Sequence, residues 1–184
     1  LTPKEQTLYN DISLVTTPAE QQAWEQTPKS DQNRFLNAFW QMRNPTPTSR
    51  ENPRKLEHYR RVHYSRLNYS EGKYPWDRRG EVYIRFGHPD HLTWSDHMIM
   101  ETDPAVVRVK RRLNERVLNK MGAMEELVNI SFTAASNLGV WGRPIFPIDN
   151  LSKWESWIYT DVERGIEVNF LDNVINFSYD YPEV

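Results

Sequence analysis

The chain has 184 residues, a formal net charge of -2 and no cysteine. That length fits one domain with a core of its own, and the lack of cysteine excludes disulfides, thiolate catalysis and cysteine-zinc sites. No apolar run approaches the roughly 18 residues of a membrane-spanning helix, so we expect no membrane-spanning segment.

Charge is unevenly distributed along the chain. Residues 50–123 carry 16 Lys and Arg against 10 Asp and Glu, a net charge of +6, whereas residues 124–184 carry 3 against 10, a net charge of -7. A basic segment can bind nucleic acid, but a dedicated nucleic-acid domain is usually basic as a whole. We therefore interpret the asymmetry as a basic helical layer beside an acidic sheet edge, and we do not expect nucleic acid to be the partner.

Two capping signals predict the first helices. Thr2-Pro3 with Glu5 predicts a helix over residues 3–14, and Thr17-Pro18 with Glu20 predicts a second, shorter one. A third helix is expected from about Ser30 to residue 42, because apolar residues recur there at helical spacing and prolines follow.

A fourth helix is predicted over residues 51–69. Its larger apolar residues fit no single stripe, so we expect two of its sides to be covered; they are Leu56, Tyr59, Val62, Tyr64, Leu67 and Tyr69.

Residues 75–90, PWDRRGEVYIRFGHPD, are the segment around which the rest is arranged. A turn through Gly80, alternation over residues 81–86 and the end signal Gly87-His88-Pro89-Asp90 predict a β-strand at 81–86. Residues 91–102 are polar and are predicted to form a loop.

A long basic helix is predicted over residues 104–121, opened by Asp103-Pro104 and capped by Gly122. Further strands are expected at residues 127–132, 154–159, 166–170 and 174–179. Tight turn signals separate the last three strands, which favours an antiparallel meander.

The predicted fold class is α+β in a single domain over residues 1–184, with a helical subregion at 1–72 and a strand-rich subregion at 73–184. An N-terminal layer of three to four helices packs on a small, mostly antiparallel sheet, and the long basic helix is inserted after the first strand. We expect one central aromatic cluster, formed by Trp40, Tyr59, Trp76, Tyr83 and Phe86.

Three ordered motifs carry a resemblance to a known family: FWQMRNPTPTSREN at 39–52, HYRRVHYSRLNY at 58–69 and WDRRGEVYIRFGHPD at 76–90. Together they resemble the GWxTD domain, a bacterial family of uncharacterised biochemical function, and Trp157-Ile158-Tyr159 resembles its later W-x-Y strand. The resemblance implies a strand at V-Y-I and, because such proteins commonly carry export or lipoprotein signals, an extracytoplasmic location.

The chain departs from the family pattern at three places. Asn44 and Arg78 stand where family members commonly have acidic residues, and the glycine-tryptophan pair is separated into Gly72 and Trp76. A family site that used a carboxylate at position 44 or 78 would be incomplete here.

Six charged residues within the motifs could converge on a ligand: Arg43, Arg60, Arg61, Asp77, Arg79 and Asp90. Guanidinium groups bind carboxylates and phosphates in a bidentate fashion, so these residues could line a cleft for an anionic group. The other reading, which we prefer, is that they join the helical layer to the first strand through ion pairs.

His88, His91 and His97, with Asp90 and Asp96, form the one metal-like cluster. Zinc needs several ligands in a fixed frame, whereas these residues fall on a predicted loop, so we expect no metal and no cofactor. No nucleophile elbow and no glycine-rich phosphate loop is present.

The sequence therefore favours a non-enzymatic interaction or scaffold module of an exported bacterial protein, with a protein partner or self-association. The alternative is a small-ligand-binding or enzymatic domain that uses the arginine/aspartate cleft for an anionic group. A nucleic-acid binder acting through residues 50–120 is a third, weaker hypothesis.

Overall fold

A computed structural model describes residues 2–97, 101–121, 144–145, 153–172 and 176–182. The elements are α1 Pro3–Asn10, α2 Pro18–Gln26, α3 Gln32–Met42, α4 Pro53–Asn68, α5 Arg78–Phe86, β1 His91–Trp94, α6 Pro104–Met121, β2 Lys153–Tyr159 and β3 Ile166–Asp172. The predicted cap at Gly122 and strand at 127–132 lie outside the described residues.

The predicted fold class is confirmed. Helices α1 to α5 precede a three-stranded antiparallel sheet of order β1-β2-β3, and α6 is inserted between β1 and β2. One side of the sheet, carrying Trp157 and Phe170, packs on α5, and the other, carrying Ile158, packs on α6. Within the described residues, no helix is both long enough and apolar enough to cross a membrane.

Both predicted capping boxes are present. The side chains of Thr2 and Thr17 accept hydrogen bonds from the backbone N–H of Glu5 and Glu20, whose carboxylates accept in return from the threonine backbone. These contacts are local in sequence, which is why the start of each helix could be predicted. α1 ends at Asn10, earlier than predicted, and a separate 3-10 turn follows at Ser13–Val15.

The predicted strand at residues 81–86 is wrong, because this segment forms the helix α5. The Asp77 side chain accepts from the Arg79 N–H and begins the helix, and Gly87, at φ 89°, ends it. Val82 packs with Trp157 and Phe170 of the sheet, whereas Ile84 packs with Val62 of α4. These two side chains lie on nearly opposite sides of the helix, because two residues span about 200°. A helix covered on two sides therefore produced the alternation typical of a strand.

The predicted loop after Asp90 is also wrong at its start. Residues 91–94 form β1, in which His91 lies opposite Ile158 and Trp94 opposite Glu155. A strand this short is stabilised by its partner β2 rather than by its own propensity.

Of the strand predicted at 174–179, residues 174 and 175 are outside the described part, and residues 176–179 are not a strand. An isolated bridge joins Leu171 to Asp180.

The prediction of one central aromatic cluster is wrong, because its members lie in separate clusters. Trp40 packs with Phe39, Trp76 packs with Val62 and Ile84, and Tyr83 and Phe86 pack against the sheet; Tyr59 contacts Tyr9. The core is therefore divided between the α2–α3 region, the α4–α5 interface and the two sides of the sheet.

The expectation that α4 is covered on two sides is likewise wrong for three residues. Val62 is 1% exposed, but Leu56 and Tyr64 are each 38% exposed and Leu67 is 71% exposed. One side of α4 thus presents large apolar side chains to solvent.

Replacing either aromatic residue of the first cluster should destabilise the protein strongly. Phe39 is 1% exposed and Trp40 4% exposed, with ring centroids 4.9 Å apart. We expect Phe39→Ala or Trp40→Ala to lower the free energy of unfolding by about 3–5 kcal/mol through lost burial and cavity formation. Chemical denaturation measures the loss, and Met42→Ala, at a residue 74% exposed on the same helix, is the control. A loss below about 1 kcal/mol would contradict the core assignment.

Candidate functional site

A buried guanidinium, that of Arg79, is the centre of a polar network that joins separate elements of the chain. Its Nε and Nη2 donate to Asp77 Oδ2 at 3.0 and 2.7 Å, and its Nη1 donates to Glu155 Oε1 at 2.5 Å. The ring centroids of Tyr179 and Tyr69 lie 3.8 and 5.2 Å from its Cζ. We call Asp77, Arg79 and Glu155 the Arg79 network.

The electrostatics of this network keep Arg79 protonated. Burial lowers the pKa of Arg79, but the hydrogen bonds to Asp77 and the charge of Glu155 outweigh it, so the net shift is upward. Arg79 is 9% exposed and Asp77 1% exposed. The guanidinium is thus occupied by the protein itself rather than open to a ligand.

Asp77 extends the network to the end of the chain. Its carboxylate accepts from the backbone N–H of Arg79 at 2.9 Å and of Tyr179 at 3.1 Å. Glu155 also accepts from the indole Nε1 of Trp157 at 3.0 Å. The network therefore connects α5, β2 and the segment 176–182.

Arg43 and Arg61 are also engaged by protein groups, at other places. Arg43 Nη2 lies 2.5 Å from Glu20 Oε1, and the Arg43 guanidinium is stacked over the Phe39 ring. That hydrogen bond is the main reason why the pKa of Glu20 falls to about 2. Arg61 Nε lies 2.8 Å from Glu57 Oε1, and Arg61 Nη1 donates to backbone carbonyls near the end of α5.

Asp90 and Arg60 complete the predicted set. Asp90 Oδ2 accepts from the N–H and the hydroxyl of Thr160 at 2.6 and 2.7 Å and so fixes the end of β2. Arg60 is exposed and forms no hydrogen bond or ion pair with the residues that the structure describes. The structure therefore brings Asp77 and Arg79 together, while the other four predicted residues have separate partners or none.

The three histidines considered as metal ligands have different surroundings. His88 is exposed, with Nδ1 2.7 Å from the Pro89 carbonyl, and His97 packs on the Trp94 ring. His91 is on β1, with Nε2 3.7 Å from Glu101 Oε1. Over the described ranges, no group of three or more His, Asp or Glu side chains could hold a metal ion.

A second buried charge cluster was missed by the sequence analysis. Lys110 Nζ on α6 lies 2.5 Å from Glu101 Oε1 and 3.5 Å from Glu167 Oε1 on β3, and Ser156 Oγ donates to Glu167 Oε1 at 2.9 Å. The side chains of the three charged residues are at most 5% exposed. We call Glu101, Lys110, Glu167 and Ser156 the Lys110 cluster.

The spacing along α6 could have revealed Lys110. Val106, Val109 and Leu113 pack against Ile158 of the sheet, and Lys110 shares their helix face, because it follows Val106 by four positions and precedes Leu113 by three. A lysine inside an apolar stripe indicates a buried charge that needs a carboxylate nearby. Its partner Glu167 is 57 positions away and no local pattern identifies it.

His58 is a buried titratable group in the N-terminal layer. It is 2% exposed and its ring centroid lies 5.0 Å from that of Trp40. Burial lowers the pKa of His58 to about 4; contacts with the backbone of Tyr9 and Asp11 and the Asp11 charge oppose this shift, and the Arg54 charge adds to it. His58 is therefore neutral in the folded protein at neutral pH.

No family model matches this chain, and comparisons with curated proteins and with solved structures found no match. The resemblance to the GWxTD domain thus rests on the three motifs and on Trp157-Ile158-Tyr159 alone. Within them, the V-Y-I segment belongs to α5 in this chain rather than to a strand.

Arg79→Met should lower the free energy of unfolding by about 3–5 kcal/mol, because it leaves the Asp77 and Glu155 carboxylates buried without their cation. Arg79→Lys should cost less, since an ammonium keeps the charge but cannot reproduce the planar fork. Urea denaturation followed by tryptophan fluorescence measures both. Arg85→Met, at an exposed position of α5, is the control, and a loss of less than about 1 kcal/mol for Arg79→Met would contradict the network's structural role.

The buried His58 should make the protein acid-sensitive. Its folded pKa of about 4 is below its ordinary value of 6.5, so between these values the unfolded state binds the proton first. The contribution of neutral His58 to the free energy of unfolding is fully present above pH 6.5. It is lost as the pH falls towards 4, and this loss amounts to up to about 3 kcal/mol.

His58→Phe should flatten this part of the stability profile, measured as the free energy of unfolding at half-unit pH intervals. His63→Phe, the same change at an exposed position of α4, is the control. An unchanged slope between pH 6.5 and 4 in His58→Phe would refute the assignment.

Proposed function

We propose that this chain is a non-enzymatic interaction or scaffold module that associates with a second copy of itself. The observation that carries the proposal is an exposed stripe on α4 formed by Leu56, Arg60, Tyr64 and Leu67, which we call the α4 face. Their spacings of four, four and three positions place them on one side of the helix. Leu67 is 71% exposed, and Leu56 and Tyr64 are each 38% exposed.

The composition of the α4 face is typical of a binding surface. Interfaces are enriched in tyrosine and arginine, and large exposed apolar side chains in a row mark protein contacts. Tyr64 is already ordered, because its ring is stacked on Tyr83 with centroids 4.4 Å apart. Arg60 has no ion-pair partner among the described residues, so it is available to a carboxylate on another chain.

A second copy offers surfaces that match this face. In the segment 176–182, Phe177 is 53% and Tyr181 44% exposed. The Asp180 side chain lies between them in sequence and is 65% exposed, with Oδ1 3.2 Å from Arg78 Nε and, among the described residues, Oδ2 left for a further partner. Apolar rings with an acidic group complement the leucines, tyrosine and arginine of the α4 face.

The alternative of an arginine/aspartate cleft receives no support from geometry. Three of the arginines already donate to carboxylates or carbonyls of the protein, and no two of them share a partner; they are Arg43, Arg61 and Arg79. The family assignment and an extracytoplasmic location are proposals that rest on the motif resemblance. Fractionation of cells that produce the full-length protein tests the location.

Size-exclusion chromatography with light scattering, at low and at physiological salt, tests self-association. We expect a mass above that of the monomer at both salt concentrations, since the face is largely apolar. Leu67→Asp and Tyr64→Ser should each shift the chain towards the monomer, whereas Met42→Asp, a similar change at an exposed residue of α3, should not. A monomer at every concentration tested would contradict the proposal.

A further inference from the structure

A cavity of about 520 Å³ lies between α6 and the turn that joins β2 to β3. Its lining consists of Arg112, Leu113 and Arg116 of α6 and residues 163–167 of the turn and β3. Its size is in the range of small-molecule sites. It is formed by other elements than the α4 face, so it can be tested independently.

Three guanidinium groups line the cavity, and they differ in whether the protein itself already binds them. Arg112 donates through Nη1 to the Arg164 carbonyl and through Nη2 to the Gly165 carbonyl, so it fastens the turn to the helix. Its Nε is buried and has no acceptor among the described residues. Arg116 and Arg164 are exposed and form no ion pair within the described part of the chain.

The carboxylates in the lining do not cancel this charge. The Glu167 carboxylate is 3% exposed, is 3.5 Å from Lys110 Nζ and accepts from Ser156 Oγ and the Ile145 N–H. Glu163 is the one exposed carboxylate of the lining. The lining therefore offers two accessible guanidinium groups, those of Arg116 and Arg164, against one accessible carboxylate.

The backbone of the turn fixes this arrangement. Gly165 has a φ of 93°, and a Cβ there would lie 2.3 Å from Val109 Cγ2, so only glycine lets the turn approach α6 this closely. Glu163 is also in the left-handed region, at φ 55°, which for a residue with a side chain is strained. Such strain is concentrated at binding sites, where it holds groups in position before the ligand arrives.

We propose that this cavity binds a small organic phosphate. Arg116 and Arg164 form the ion contacts with the phosphate group, and Arg112 holds the turn that carries Arg164 against α6. Guanidinium groups are suited to phosphate oxygens because they offer paired, always-charged donors. Leu113 and Ile166, the apolar residues of the lining, receive the organic part of the ligand.

Calorimetric titration of the full chain with phenyl phosphate tests the site. We expect saturable binding that weakens with salt and is at least tenfold tighter than that of inorganic phosphate, which lacks the apolar group. The double variant Arg116→Gln/Arg164→Gln should lose at least tenfold in affinity. Both side chains are exposed and unpaired in the described structure, so the variant should fold normally, which circular dichroism verifies.

Arg111→Gln is the matched control, because Arg111 is an exposed arginine of α6 that does not line the cavity. It should leave the affinity within about twofold of the wild type. The proposal is overturned if phenyl phosphate does not bind at millimolar concentration. It is equally overturned if Arg111→Gln weakens binding as much as the double variant, since that result indicates attraction to the basic helix as a whole.

Discussion

The Arg79 guanidinium forms ion pairs and ring contacts that join α5, β2 and the C-terminal segment 176–182. It is held by Asp77 at the start of α5 and Glu155 on β2, and it lies between the rings of Tyr69 and Tyr179. A buried ion pair adds little net stability over an apolar pair, but removing one member leaves an uncompensated charge. This side chain therefore adds to the apolar packing of Val82 on the sheet and to the backbone contacts of Tyr179 and Asp180 in holding α5, the sheet and the C-terminal segment together.

The sequence predicted those parts of the fold that are determined locally. The two capping boxes, the helix ends before proline and the basic helix α6 rest on contacts within a few residues. α5 could not be predicted in this way, because its alternating pattern results from burial against α4 on one side and the sheet on the other. β1 depends in the same manner on pairing with β2, which is distant in sequence.

In the candidate site too, contacts between residues close in sequence could be predicted and contacts between distant residues could not. Asp77 and Arg79 are two positions apart and both belonged to the predicted set, whereas Glu155 is 76 positions after Arg79 and had no local signal. The charged residues of the three motifs could have converged on a ligand, but they join different elements: Arg43 joins α3 to α2, and Arg61 joins α4 to α5. The presence of these residues in the three motifs thus did not indicate a common ligand.

The two buried charge clusters lie on opposite sides of one small sheet. Glu155 is on the α5 side and pairs with Arg79, while Glu167 is on the α6 side, near Lys110. Side chains alternate along a strand, so a slip of β2 by one residue would turn Glu155 towards α6 and Ile158 towards α5. That slip would leave the Arg79 cation without one carboxylate and place a charge among the valines of α6. Because such errors cost several kcal/mol each, we infer that the two ion-pair clusters help to specify the strand register and the side of the sheet on which each helix packs.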